Sequence, residues 1–130
     1  MKEVCEFLKK AGTYYIATVD GDRPRVRPFG TADIYDGRLN IQTGLSKDVA
    51  KQMLKNPHVE ICAFAGERWL RIAADAVLCD DIKAAEHMLE AYPELRAMYT
   101  PGDGNTTVFS IVNAVATFSS FTEPPRTVKF

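Results

Sequence analysis

The sequence predicts a mainly β fold of the α+β class: an antiparallel barrel with helices at its periphery. Three observations lead there. Runs rich in β-branched and aromatic residues follow one another in the order β-β-β-α-β-β-α-β. Short glycine-bearing turns, "DGDRP" at 20–24 and "DGR" at 36–38, join neighbouring runs as hairpins. Helical patterns fall between groups of strands rather than after each one, which argues against a parallel doubly wound sheet. With 130 residues, 46% of them hydrophobic, the chain has the material for a packed core, and residues 1–130 are expected to form one domain.

Each element has its own signal. Val4, Phe7, Leu8 and Ala11 recur at helical spacing, and Gly12 offers a stop. "TYYIATVD" (13–20) reads as the first strand. "RVRPFGTADIY" (25–35) reads as a second strand, interrupted near Pro28 and Gly30, and "LNIQT" (39–43) as a third. A helix is expected over 46–56, with Val49, Ala50, Met53 and Leu54 on one face and "NP" at its end. "HVEICAF" and "RWLRIAADAVLC" are two strands around a turn at 65–67. Asp80 or Asp81 can cap the next helix, whose stripe is Ile82, Ala85, Leu89 and Tyr92. Pro93 suits the first turn of a further short helix. "TPGDGN" (100–105) is read as a plain loop, "TTVFSIVNAVATFSSF" as the last strand or pair of strands, and the tail as extended.

Composition narrows the function. Sixteen basic residues against seventeen acidic ones give a net charge of −1, whereas general nucleic-acid binders carry a basic surplus. No apolar run approaches the ~20 residues of a membrane span. The N-terminal "MKEVCEFLKKAG" lacks the apolar core and cleavage site of a signal peptide, so a cytoplasmic location is the default expectation. Cys5, Cys62 and Cys79 are scattered and read as small buried hydrophobes. His58 and His87 stand apart, without zinc-site spacing. No G-x-S-x-G, Ser/His/Asp set or P-loop is present; if the protein is an enzyme, a cofactor carries its chemistry.

Three segments carry candidate function. In "TGLSKD", Ser46 sits where a helix N-cap belongs and Lys47 follows it, a pairing suited to an anion at a helix start. The plain alternative is a capping serine and a solvated lysine. In "DRPRVRPF", Arg23, Arg25 and Arg27 alternate onto one strand face, with Val26 on the other. Like charges on one face repel unless an anion or carboxylate compensates them, and Asp20 or Asp22 is placed to serve Arg23 but poorly placed for the other two. A solvated edge strand guarded by charge is the alternative. In "ERWLRIAAD", Trp69 and Arg71 share a face opposite Leu70, Ile72 and Ala74, a pairing enriched at interfaces and ligand sites, though a large residue packed across the sheet would look the same.

Taken with the terminal "ATFSSF", these blocks resemble the pyridoxamine 5′-phosphate oxidase-like superfamily of FMN-binding split β-barrels, and more closely its short, family-related members. The resemblance runs through nearly the whole chain and rests on the order of the blocks. It implies an antiparallel split β-barrel, an FMN cofactor and a homodimer with two sites at the subunit interface. Carried onto this sequence, Arg25, Val26, Arg27 and Pro28 would run along the isoalloxazine and ribityl region, with one arginine reaching the phosphate. Gln42 and Thr43 would lie by the ring edge or ribityl chain, and Ser46 and Lys47 would bind the phosphate. Trp69, Arg71, Phe118 and Ser119 would come from the partner subunit. The true oxidase has a longer basic run at the phosphate turn than "GLSKD", and a C-terminal histidine that "EPPRTVKF" lacks, so oxidation of pyridoxamine phosphate is not expected. The first functional expectation is an FMN-dependent oxidoreductase in which NADH or NADPH drives reduction of a small acceptor. The second is a non-enzymatic flavin- or heme-binding stress, storage or sensing protein, with His58 or His87 as the heme ligand. The third is a small domain whose basic strand grips an anionic partner such as RNA.

Overall fold

The computed structural model describes all 130 residues. Its elements are α1 (Lys2–Ala11), β1 (Tyr14–Asp20), β2 (Arg23–Phe29), β3 (Asp33–Tyr35), β4 (Arg38–Gly44), α2 (Asp48–Lys55), β5 (His58–Ala65), β6 (Arg68–Cys79), α3 (Ile82–Ala91), a 3-10 helix (Pro93–Ala97), β7 (Thr106–Ser120) and β8 (Arg126–Lys129). Every strand pairing is antiparallel, in one sheet ordered β2-β1-β5-β6-β7-β4-β3, with β8 also on β7. The sheet curls but does not close, because β2 and β3 are its two edges: a split barrel.

The expected break in the second strand is real, and it is larger than a kink. Past Phe29 the chain crosses from one edge of the sheet to the other, and β3 pairs with β4 rather than continuing β2. Tyr14 and Tyr92 hold this crossing. The Tyr14 hydroxyl donates to the Thr31 carbonyl (2.6 Å), and the Tyr92 hydroxyl lies 3.1 Å from both the N–H and the carbonyl of Ala32. The split itself runs through β7. Its first half pairs with β4 and its second half with β8, and Asn113 between them has φ 50°. Asparagine tolerates this left-handed conformation better than most residues. The Asn113 amide donates to Asp75 (3.0 Å), opposite the register shift between Ala73 and Asp75.

The core lies between the inward faces of the strands and the helices α1 and α2. Ile16, Ile41, Ile61, Leu70, Ile72 and Phe109 are fully buried there. Periodicity carried these expectations because alternate strand residues face one way. It failed for Leu54 and Ile82, which are exposed. It failed also for Cys62, expected to be buried: β5 turns it outward, and nothing in the chain covers that face. Cys5 is buried and Cys79 half-buried. Asp81, not Asp80, caps α3, accepting from the Lys83 N–H at 2.9 Å. No helix is long and apolar enough to cross a membrane.

Candidate functional site

The arginine strand is an edge strand, and its residues divide as alternation requires. Pairing of Thr18 with Arg25 and of Ile16 with Arg27 puts both arginines on the inward side of β1, at the rim of the core beneath α2. Val26 and Pro28 fall on the outward side, opposite Ala17 and Tyr15. The acid partner is not the expected one. Asp20 pairs with Arg25 (3.0 Å) rather than with Arg23. Arg23 faces Asp20 directly in the register, but Arg25 reaches it diagonally across the hairpin.

Arg27 has no carboxylate partner within ion-pair distance. One guanidinium nitrogen donates to the Thr18 hydroxyl (2.8 Å) and the Ile16 carbonyl (3.2 Å), and the other donates to Gln52 Oε1 (2.8 Å). Thr18 donates to the same Gln52 oxygen (2.6 Å). Burial lowers the Arg27 pKa first, the nearby Arg25 lowers it further, and Asp48 opposes them. A guanidinium held by neutral acceptors in a partly desolvated place favours an incoming anion.

The start of α2 adjoins it. The helix begins at Asp48, with Lys47 as the N-cap in extended conformation and no side-chain cap, so Ser46 is not the capping residue expected. Its hydroxyl makes no hydrogen bond within the chain, because the turn places it one residue too early to reach the helix. The N–H groups of Leu45, Ser46 and Lys47 are already taken, by the Asn105 carbonyl, Asn105 Oδ1 and the Gly44 carbonyl. Those of Asp48 and Val49 have no acceptor in the chain and remain for a ligand.

Two clefts meet at Lys47. One, of about 560 Å³, is lined by Asp20, Arg25, Val26, Arg27, Lys47, Asp48, Val49 and Gln52. Three cations against two carboxylates leave it one positive charge in excess. The other, of about 290 Å³, is walled by Pro28, Gln42, Thr43 and Lys47 together with Tyr92, Glu94, Leu95, Met98 and Tyr99. Seven residues expected from the sequence, namely Arg25, Val26, Arg27, Pro28, Gln42, Thr43 and Lys47, thus line one or the other of these two clefts, taken together as the groove. Ser46 flanks it.

Four expected residues lie elsewhere. Trp69, Arg71 and Ser119 are on the outward face of the sheet. Trp69 packs against Phe121 in a tilted arrangement, with ring centroids 5.0 Å apart, and Arg71 pairs with Glu60 at 3.0 Å. Phe118 points the opposite way and is 2% exposed, packed against Phe7 and beneath Arg68 and Arg126. It is part of the core and offers no surface to a ligand. His58 and His87 are each engaged, with Asp75 (2.7 Å) and with buried Asp33 (2.5 Å). No group of three or more His, Cys, Asp and Glu side chains comes together as a metal site.

Sequence reasoning missed Gln52, Tyr92, Met98 and Tyr99 as groove residues. Gln52 was within reach, since it lies one helical turn beyond Asp48. The others carry no local signal, because only the packing of α3 on β3 and β7, with the 3-10 helix beside it, brings them there.

A family profile described as pyridoxamine 5′-phosphate oxidase matches residues 1–120. The chain belongs to this family. Among solved structures it is similar to a NimC/NimA family protein of Clostridium acetobutylicum, with 39% identity, 98% of this chain and 90% of that one covered, and a TM-score of 0.94. It shares its fold with a pyridoxamine 5′-phosphate oxidase-related, FMN binding protein of Nostoc punctiforme (16% identity, 97% and 86% covered, TM-score 0.65). It also shares it with a heme binding protein of Mycobacterium smegmatis (10% identity, 96% and 57% covered, TM-score 0.73). No curated protein sequence matches significantly.

Proposed function

We propose that the groove holds FMN and that the protein is a flavin-dependent oxidoreductase. The observation that carries the reading is the half-buried Arg27 guanidinium, without a carboxylate, beside two free helix N–H groups and Lys47. A phosphate dianion fits this donor set, and FMN ends in one. Arg27 and Lys47 would hold the phosphate, with Arg25 and the Ser46 hydroxyl beside them. Pro28, Gln42 and Thr43 would border the ribityl chain and ring. When bound, FMN supplies hydride or electron transfer between NADH or NADPH and a small planar acceptor such as a quinone, a nitro compound or a free flavin. The residues of this chain position it and shield it from water.

The same reading makes the working unit a homodimer. Tyr15, Val26, Phe64 and Phe121 stand uncovered on the outward face of the sheet, Val26 at 68% and Phe64 at 62% exposure. Large apolar side chains left exposed together on one face suit an interaction surface. It borders the groove along β2, so a second copy docked there would bring its own Trp69, Arg71 and Ser119 toward the flavin.

Fluorescence quenching of FMN, with sizing on the same sample, tests both parts. Tight quenching at a dimeric mass is expected, followed by bleaching of the bound flavin by NADH or NADPH in stopped flow. Absence of FMN binding sinks the proposal. A flavin that binds but is reduced by neither nucleotide would favour a non-enzymatic flavoprotein. The shared fold of the mycobacterial heme binding protein supports a heme reading, with the unbonded ring nitrogen of His58 as ligand, and a Soret band after heme addition would favour it.

A further inference from the structure

The loop "TPGDGN" is bonded to the turn that leads into α2, and this gives it a role in the groove. Gly102 and Gly104 have φ of 81° and 79°, in the left-handed region that glycine enters without strain. Between them the Asp103 carboxylate accepts from the N–H groups of Thr100 (3.0 Å), Asn105 (2.8 Å) and Thr106 (2.7 Å). These backbone bonds lower the Asp103 pKa. The loop is therefore ordered around one side chain, and what it presents is Asn105. The Asn105 carbonyl accepts from the Leu45 N–H (2.7 Å), and its Oδ1 accepts from the Ser46 N–H (3.0 Å). Its amide also lies over Gly44, where a Cβ would come within 3.0 Å of Nδ2. The last residue of β4 is small where Asn105 packs against it.

We propose that Asn105 is a positioning residue for the phosphate turn. By holding two consecutive N–H groups it fixes the path of residues 44–47, so that Ser46, Lys47 and the free N–H groups of Asp48 and Val49 face the Arg27 side of the groove. Asn105 lines neither cleft and acts only through the turn. The inference rests on the reading of this turn as the FMN phosphate site, and its consequence is specific: Asn105 matters for flavins that carry a phosphate and not for those that lack one.

The test compares FMN with riboflavin, by fluorescence quenching, in the parent and in the Asn105→Ala protein. Loss of one bond-holding group should weaken FMN about tenfold and leave riboflavin unchanged. Equal weakening of both flavins, or none of either, overturns the inference. Hydrogen exchange by NMR on the flavin-free proteins gives a second readout. The Ser46 amide should be protected in the parent, lose protection in Asn105→Ala and keep it in Asn105→Asp, which retains an acceptor oxygen. Unchanged Ser46 exchange in Asn105→Ala overturns the positioning role whatever the flavin data say. A parent that binds FMN no tighter than riboflavin refutes the phosphate site itself, a result seen before any variant is made.

Discussion

Two adjacent rows cross the same strands and meet opposite surroundings. On one face the register aligns Arg27, Ile16, Ile61, Ile72 and Ala116. One residue along, on the other face, it aligns Pro28, Tyr15, Cys62, Arg71 and Thr117. The first row is roofed by α1 and α2 and ends, at the edge strand, in a guanidinium half-withdrawn from water. The second has no roof, although it lies beside Val26, Phe64 and Trp69. The difference shows how one edge strand can serve two purposes. Its inward side is electrostatic because the core beneath it ends there, and its outward side carries Pro24, Val26 and Pro28, with nothing in the chain above them.

The sharpest way to break this contrast is Val26→Asp. If the outward face is a subunit interface, an unpaired buried charge there costs about 3–5 kcal/mol and converts the dimer to a folded monomer on sizing. An unchanged mass, or a monomeric parent, removes the interface from the comparison. Ile72→Ala, in the roofed row, should instead lower stability by about 2–5 kcal/mol in denaturant melts. Arg71→Ala, its neighbour on the open face, removes only an exposed ion pair with Glu60 and should leave the melt close to that of the parent. Arg27→Ala tests the end of the inward row. Removing a charge-assisted contact to phosphate should weaken FMN by about 10- to 100-fold, read by fluorescence titration. Lys47→Ala should act in the same direction with a smaller effect, because that side chain is more exposed.

The smallest effect is one of pH. The Asp103 pKa is lowered in the folded protein by backbone donors. Its contribution is complete above the ordinary aspartate value of 3.8 and is lost only as pH falls through the lowered folded value. Exchange protection of the Asn105 and Thr106 amides should therefore persist at mildly acidic pH and fall only in strong acid. Protection lost near neutrality would show that Asp103 does not order the loop.

Much of the groove was legible in the sequence, for a reason that particular residues make plain. Arg25, Arg27 and Val26 were sorted correctly because strand alternation is a local rule. Lys47 was placed at a helix start by the pattern of the helix that follows. Phe118 and Ser119 were carried over together from the family resemblance, and alternation divided them, one into the core and one outward. Asp20 was assigned to the wrong arginine because a diagonal reach across a hairpin depends on side-chain direction, which sequence order does not encode. Cys62 was expected inside because it sits in the apolar run 61–64, but the face it shares also carries His58 and Glu60 and is exposed.

By itself the sequence determined what alternation, helical spacing and turn chemistry can fix: the strands and helices, the hairpins, the split-barrel family, and the side of β2 on which each charge lies. The tertiary structure alone decided which distant segments meet. It carried Asn105 across 59 residues of separation to the Ser46 N–H, set Tyr92 and Met98 beside Gln42, and left Tyr15 and Phe64 without a roof. Local rules act over a few residues. These meetings depend on how the sheet curls and where it stops, and that is settled only when the whole core packs at once.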